Sequence, residues 1–247
     1  MALLWRFDAD TLANQALGTS LVGEKDSGPV SGVTKSGTAV VSINNVSGTA
    51  RASGEHIFVS QKLANQTARF EKSLGSTQST YGFRFYIRWA GTPASVTSFV
   101  GGYLSGTEVW HLRRASTTRL TMQTGATLIS NAPTTSTANN TWYRVEGTCS
   151  ANGILTVNVY TGDGTSALLT LTGTSSGMQV DELRFGAITS TANVHPDMKM
   201  DEFYVHDAAT EPGPWFAVPT ADGAVTTTAP SIYANFGDDI SVASWIK

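Results

Sequence analysis

Hydrophobic and polar positions alternate with a period of two along most of the chain, and no stretch longer than a turn or two keeps a helical period. The clearest run is Tyr81 to Trp89. Tyr81, Phe83, Phe85, Ile87 and Trp89 share one face while Gly82, Arg84, Tyr86 and Arg88 share the other, which predicts a half-buried strand with an apolar inner face. Shorter runs predict strands at Val109 to Arg114 and Arg119 to Gln123, joined by the turn Ala115 to Thr118. Trp142 to Cys149 and Ile154 to Tyr160 flank Ala151-Asn152-Gly153, and Asn-Gly is a strong hairpin signal because both positions accept positive φ. Leu155, Val157 and Val159 then face in, with Thr156 and Asn158 out. Gly162-Asp163-Gly164 turns the chain into a strand at Ala167 to Leu171, and Val180 to Ile188 and Met198 to His206 supply two more. Short strands with turns about every ten residues predict an all-β antiparallel sandwich.

Composition supports strands and turns over helices. Thr, Ser and Gly number 34, 25 and 24, together 83 of 247 positions; Thr is stiff at χ1 and Gly supplies the positive φ of tight turns. Hydrophobic residues at 40% are enough for one large domain with a real core, while charged residues are only 14%. The composition changes near residue 209. Four of the eight prolines (Pro212, Pro214, Pro219, Pro230) follow it, together with Trp215, Phe216, Tyr233, Phe236 and Trp245. We therefore divide the chain into a sandwich over 1–208 and an extended arm over 209–247. The arm is too short for its own core and too aromatic for a solvated linker, so Trp215, Phe216, Tyr233 and Trp245 are expected to anchor it on the sandwich or on a neighbouring subunit.

The net charge is 16 minus 19, or −3, which argues against nucleic acid as a partner. No segment approaches the roughly 18 apolar residues of a membrane span, and the N-terminus has no basic stretch leading into an apolar run, so neither insertion nor a secretory signal is expected. The single cysteine, Cys149, excludes an internal disulfide and reads as a small buried hydrophobe.

Several landmarks then occur in order: Ala68-Arg-Phe-Glu-Lys-Ser-Leu, Tyr81-Gly-Phe-Arg-Phe-Tyr-Ile-Arg-Trp, Asn140-Thr-Trp-Tyr-Arg-Val-Glu-Gly, Asn152-Gly-Ile-Leu-Thr-Val-Asn-Val-Tyr, Glu182-Leu-Arg-Phe-Gly and Met200-Asp-Glu-Phe-Tyr-Val. Over about residues 68 to 208 the chain resembles laminin G-like, concanavalin A-like jelly rolls. That resemblance implies a jelly-roll sandwich. It also implies two settings for such a domain: bacteriophage minor tail or decoration proteins, where these jelly rolls recur, and carbohydrate recognition.

Related jelly rolls include retaining glycosidases, which need two carboxyl groups roughly 5 Å apart on one face. On a strand that means acids at i and i+2, and only Asp8/Asp10 and Glu24/Asp26 have this spacing, in likely turns away from the matching strand. In Asp181/Glu182 and Asp201/Glu202 the two side chains point to opposite faces, and Asp201 reads as a core-edge hydrogen-bond acceptor. Gly173-Thr-Ser-Ser-Gly177 satisfies G-x-S-x-G, yet a strand and not a helix follows it. His56, His111, His195 and His206 lack zinc spacing, so no metal site is expected, with Asp163 and Asp181 as the candidates should calcium be bound.

Between Lys72 and Lys199 all seven positive charges are arginine: Arg84, Arg88, Arg113, Arg114, Arg119, Arg144 and Arg184. Residues 200–247 carry seven acids against Lys247, a net of −6. Arg favours interfaces, so Arg84, Arg88, Arg113 and Arg144 form an expected interaction patch on which the acidic arm docks, in its own or a neighbouring copy; the alternative is a solvated Arg/Thr face with the arm folded on its own domain. Tyr103 and Trp110 are the aromatics that would stack on sugar in a glycan-binding module, the alternative being that both simply pack in the interior. The expectation is a non-catalytic structural component of a bacteriophage virion. Its partners would be other virion proteins or copies of itself, it would need no cofactor, and its place would be the virion. A module binding host surface glycans is the first alternative, and a glycan-cleaving enzyme is the second.

Overall fold

The computed structural model describes residues 2–7, 15–16, 31–36, 40–45, 56–62, 65–175, 177–188 and 195–214. Asp8, Asp10, Glu24, Asp26 and the expected arm anchors Trp215, Phe216, Tyr233 and Trp245 lie outside the described residues.

Every regular element among the described residues is a strand, and the strands form two antiparallel sheets. The first runs in spatial order β14 (Leu169–Thr174), β13 (Ile154–Thr161), β12 (Trp142–Cys149), β7 (Tyr81–Trp89), β16 (His195–His206), β5 (His56–Lys62), β4 (Val40–Asn45) and β2 (Gln15–Ala16), with β1 (Leu3–Phe7) also paired to β16. The second runs β11 (Thr127–Ser136), β10 (Arg119–Thr124), β9 (Thr107–Arg114), β8 (Thr97–Leu104), β15 (Val180–Ala187), β6 (Ala68–Gln78) and β3 (Gly32–Lys35). This is an all-β jelly-roll sandwich. Strands distant in sequence sit side by side, as β16 does between β7 and β5, so the sheets are assembled by crossovers and not by hairpins alone.

The period-two pattern places the core. Phe83, Phe85, Ile87 and Trp89 of β7 and Leu155, Val157 and Val159 of β13 are fully buried, and from the other sheet Phe99, Trp110, Leu112, Leu120 and Met122 meet them. One aromatic cluster spans both sheets. Phe185 lies 5.3 Å from Phe85 and 5.1 Å from Phe203, and Phe203 stacks on Trp5 at 5.3 Å. Where side chains crowd, glycine makes room: a Cβ on Gly147 would enter the Phe83 ring. We expect Gly147→Ala to cost about 1–3 kcal/mol, read as a lower denaturation midpoint with unchanged slope.

Two local details differ from the sequence reading. In the β12–β13 hairpin only Gly153 has positive φ (72°), and Ser150 N–H donates to Ile154 O at 3.0 Å, so the loop has three residues with Gly alone in the left-handed region. The strand expected at Ala167 to Leu171 runs instead from Leu169 to Thr174, because its ladder starts where Leu169 pairs Val159.

A bulge in β16 matters more. Glu202 takes φ 52° and the register shifts between Asp201 and Tyr204, so Met200 and Phe203 both reach the core. Asp201 Oδ1 accepts the Glu202 N–H at 2.9 Å, an acceptor at the core edge. Beyond the bulge, Tyr204 pairs with Arg84 and His206 with Gly82.

Candidate functional site

The outer face of β7 is buried as well, since Arg84 and Tyr86 are as inaccessible as the apolar residues between them. A two-residue period cannot show what covers that face. The register supplies the answer row by row. Trp142, Arg88 and Lys199 are opposite one another on β12, β7 and β16. The next row is Tyr160, Arg144, Tyr86 and Asp201, and the one after it Asn158, Glu146, Arg84 and Tyr204. The result is a polar, aromatic sheet face whose charges sit at cross-strand contact distance.

Burying such charges is costly unless each finds a partner. Arg144 Nε meets Glu146 at 2.8 Å, its Nη2 donates to Gly164 O at 3.0 Å, and its guanidinium lies 4.1 Å from the centre of the Tyr160 ring. Arg84 lies 5.3 Å from the Tyr204 ring and donates through Nη1 to Gly213 O at 2.7 Å. The Tyr86 hydroxyl donates to Asp163. Residues 207–214 run over this face as bends and irregular backbone, a strap. Glu211 in the strap accepts from Asn158 Nδ2 with one oxygen and from the Tyr160 hydroxyl, at 2.7 Å, with the other.

Two groups of this face titrate far from their ordinary values. Burial pushes the Glu146 carboxyl up to about 7; Arg144 opposes the rise, and the negative charge of Glu211 adds to it. Burial pushes His206 down to about 4, and its Nδ1 accepts the Ala208 N–H at 3.1 Å. Burial, then the Glu211 contact, also raises the Tyr160 phenol.

The two shifts act on stability with opposite signs. The folded chain keeps a proton on Glu146 that the unfolded chain loses near 4.5, so this contribution is complete below 4.5 and is lost as pH rises through about 7. For His206 the folded chain binds fewer protons, so its contribution is present above 6.5 and is lost as pH falls through about 4. We therefore expect the stability of Glu146→Gln relative to wild type to grow between pH 4.5 and 7, by on the order of 3 kcal/mol. Urea titrations across that range would show parallel profiles if Glu146 were not the group responsible.

The residues expected from sequence fall in different places. Trp110 is fully buried, its ring stacked on Phe83 at 5.5 Å and its Nε1 donating to the Tyr81 hydroxyl at 2.8 Å, so it cannot offer a face to sugar. Tyr103 belongs to the second sheet, where Arg184 covers its ring at 3.7 Å and leaves it 5% exposed, so it too is corrected as a stacking residue. The expected arginine patch is not one surface. Arg113 is on β9 of the other sheet, donating to Gln123, whereas Arg84, Arg88 and Arg144 share the face described above. Of these three, Arg84 and Arg144 are buried and only Arg88 is partly open. Asp163 is engaged by Tyr86, and both oxygens of Asp181 accept the Ser105 N–H at 3.0 and 3.1 Å beside an open polar hollow of about 300 Å³. Among the described residues no group of three or more His, Cys, Asp or Glu could hold a metal ion. The G-x-S-x-G stretch leaves β14 and enters β15 with no helix after it. No described helix is long and apolar enough to cross a membrane.

Sequence reasoning passed over Glu146, Asn158, Tyr160, Tyr204 and Glu211. The alternation of Arg144, Glu146 and of Asn158, Tyr160 on the outward positions was the available signal. Their pairing across strands was not.

No family model and no curated protein matches this chain. Solved structures do. A fungal endo-β-1,4-glucuronan lyase from Trichoderma reesei superposes with a TM-score of 0.52 at 13% identity, over 74% of this chain and 94% of the lyase. A carbohydrate esterase from the Shiga toxin-encoding bacteriophage phi24B gives 0.50 at 14% identity, over 84% of this chain and 99% of the esterase. A protein of unknown function from Shewanella oneidensis MR-1 gives 0.50 at 16% identity, over 72% and 80%. At these identities the likeness establishes the β-sandwich fold.

Proposed function

We propose that this chain is a non-catalytic structural component of a bacteriophage virion, a minor tail or decoration protein on a laminin G-like sandwich. The observation that carries the reading is the strap, which ties Gly213 to Arg84 on the outer face of the first sheet. The acidic, aromatic-rich residues that follow begin at a surface already built to hold protein carbonyls and carboxylates. The likeness to a phage protein over nearly its whole length supports the setting. Glu146 does not support glycosidase chemistry, because its carboxyl is sealed from solvent and out of reach of a sugar. Light scattering on the full chain and on a chain stopped at 214, which keeps the strap contacts, tests the assembly role. A defined oligomer for the full chain alone is the expected result, and equal monomer masses would sink it. Release of reducing ends from host wall polysaccharide by the wild-type chain would overturn the non-catalytic part.

A second reading, compatible with the first, is recognition of a host surface glycan on the same sheet face. It is favoured by the half-buried Trp142 and Arg88 standing in one row beside Lys199, and by the carbohydrate-active neighbours among the solved structures. A glycan array probed with wild type and Trp142→Ala tests it, with loss of signal expected in the variant.

A further inference from the structure

At the end of β16 the side chains alternate, with Phe203 and Val205 in the core and Tyr204 and His206 on the outer face. His206 shares a row with Leu3 on β1, Gly82 on β7 and Thr148 on β12. A histidine on an outer face belongs in water, yet this one is only 1% exposed. The strap covers it and meets the ring along both of its nitrogens. Nδ1 accepts the Ala208 N–H at 3.1 Å. The Cε1–Nε2 edge and Thr210 O converge on the space above Gly82, where a Cβ would collide with both. Nδ1 accepts only when it carries no proton, so the ring that fits the strap is the neutral tautomer with its hydrogen on Nε2. An imidazolium has no acceptor left and would set an N–H against the Ala208 N–H.

Burial holds the imidazole well below its ordinary range; Asp207 and the Thr210 backbone work against the shift, and the amino terminus of the chain and Arg84 on β7 work with it. The Tyr204 ring lies 5.6 Å away on the same strand. The strap has other fastenings. Asp207 Oδ1 accepts the Ala2 N–H at 2.6 Å, and Glu211 accepts from Asn158 and Tyr160, so these acceptors too are groups that weaken on taking a proton. The Asp207 N–H on Ala2 O and Arg84 on Gly213 O involve no titrating acceptor and keep their strength in acid. Beneath the strap, Glu146 already holds its proton at low pH, so its contribution to the sheet is complete there.

We propose that His206 is the sensor of an acid-opened clasp: a proton taken up at Nδ1 displaces the Ala208 N–H and lifts the first turn of the strap, residues 207–210, from the outer face of the first sheet. The inference goes beyond the assembly reading and does not depend on it. Proton and strap compete for one nitrogen, so each must weaken the other. With an ordinary 6.5 for the open ring and about 4 for the covered one, the opening equilibrium grows roughly twentyfold between pH 7 and pH 5. The two fastenings that acid leaves intact keep the strap tethered at Asp207 and Gly213, so the opening is local and reversible.

Hydrogen exchange read by NMR on the full chain tests this, as the protection factor of the Ala208 amide after correction for intrinsic rates. The expected result is a fall of about twentyfold from pH 7 to pH 5, with the Phe85 and Val145 amides on β7 and β12 unchanged. In His206→Asn the side-chain oxygen replaces Nδ1 as acceptor without titrating, so the same factor should stay within about threefold. Gly82→Ala pushes on Thr210 and the ring, and should raise the His206 midpoint by about a unit or more toward its ordinary value. A constant Ala208 protection factor in the wild-type chain would overturn the proposal. An equal fall in a His206→Asn chain that retains wild-type near-UV circular dichroism would do the same, since the sensor would then be another group. Loss of protection at Phe85 in step with Ala208 would also overturn it, because acid would be unfolding the sheet and not opening the strap.

Discussion

Replacing Trp110 by Ala should destabilise the chain by about 3–5 kcal/mol, the range for removing a large aromatic from a packed interior. The ring is fully buried between the sheets, stacked on Phe83 at 5.5 Å. Its Nε1 donates to the Tyr81 hydroxyl, which in turn donates to Met178 O at 3.1 Å, so truncation opens a cavity and breaks a buried chain of hydrogen bonds. For a chain of this length the melting temperature should drop by on the order of 10 °C. Trp110→Phe keeps a stacked ring but loses the donor and part of the buried volume, and should fall between wild type and Trp110→Ala. Wild-type stability in Trp110→Ala would mean that the indole is not part of the core. A loss of glycan binding in that variant would report unfolding and not a lost contact, which is why Trp142 is the residue to test.

Arg114→Lys should cost about 3 kcal/mol although the charge is conserved. The guanidinium is buried on β9 and is satisfied almost entirely by neutral oxygens. Nε donates to Thr137 Oγ1 at 2.9 Å, Nη1 to Gly91 O at 2.8 Å, and Nη2 to Thr137 O at 3.1 Å and Asn139 Oδ1 at 2.8 Å. It also lies 4.6 Å from the centre of the Trp89 ring. Burial lowers its pKa to about 10, still high enough for the group to stay charged at neutral pH. The planar fork thus ties the loop after β7 to the connection between β11 and β12. An ammonium has one nitrogen where the fork has three, so a lysine leaves carbonyls at Gly91 or Thr137 buried and unpaired. Chemical denaturation of Arg114→Lys decides the matter, and a change within 0.5 kcal/mol would show that charge alone, without the fork, holds these loops.

The strands and their inward residues were legible in the chain because a sheet repeats every two residues and one face must be apolar. Tyr81 to Trp89 and Ile154 to Tyr160 were readable on those grounds to within one residue. The bulge at Glu202 was not legible, because an extra residue in a strand leaves no trace in composition and is fixed only by what Met200 and Phe203 must both reach. The candidate site was half legible. Its arginines were visible as a bias of composition, and Arg84, Arg88 and Arg144 do share a face, but Arg113 belongs to the opposite sheet.

By itself, then, the sequence determined the class of the fold and the inward apolar set of strands such as β7 and β13, since these follow from local periodicity and the exclusion of apolar surface from water. Only the tertiary structure decided which outward positions meet. Glu146 is set against Glu211 65 residues later in the chain, and Tyr160 against the same carboxylate, because β16 crosses between β7 and β5 and carries the strap back over β12 and β13. The partners of a buried charge are chosen by strand order and register, and neither is encoded in the spacing of residues along one strand.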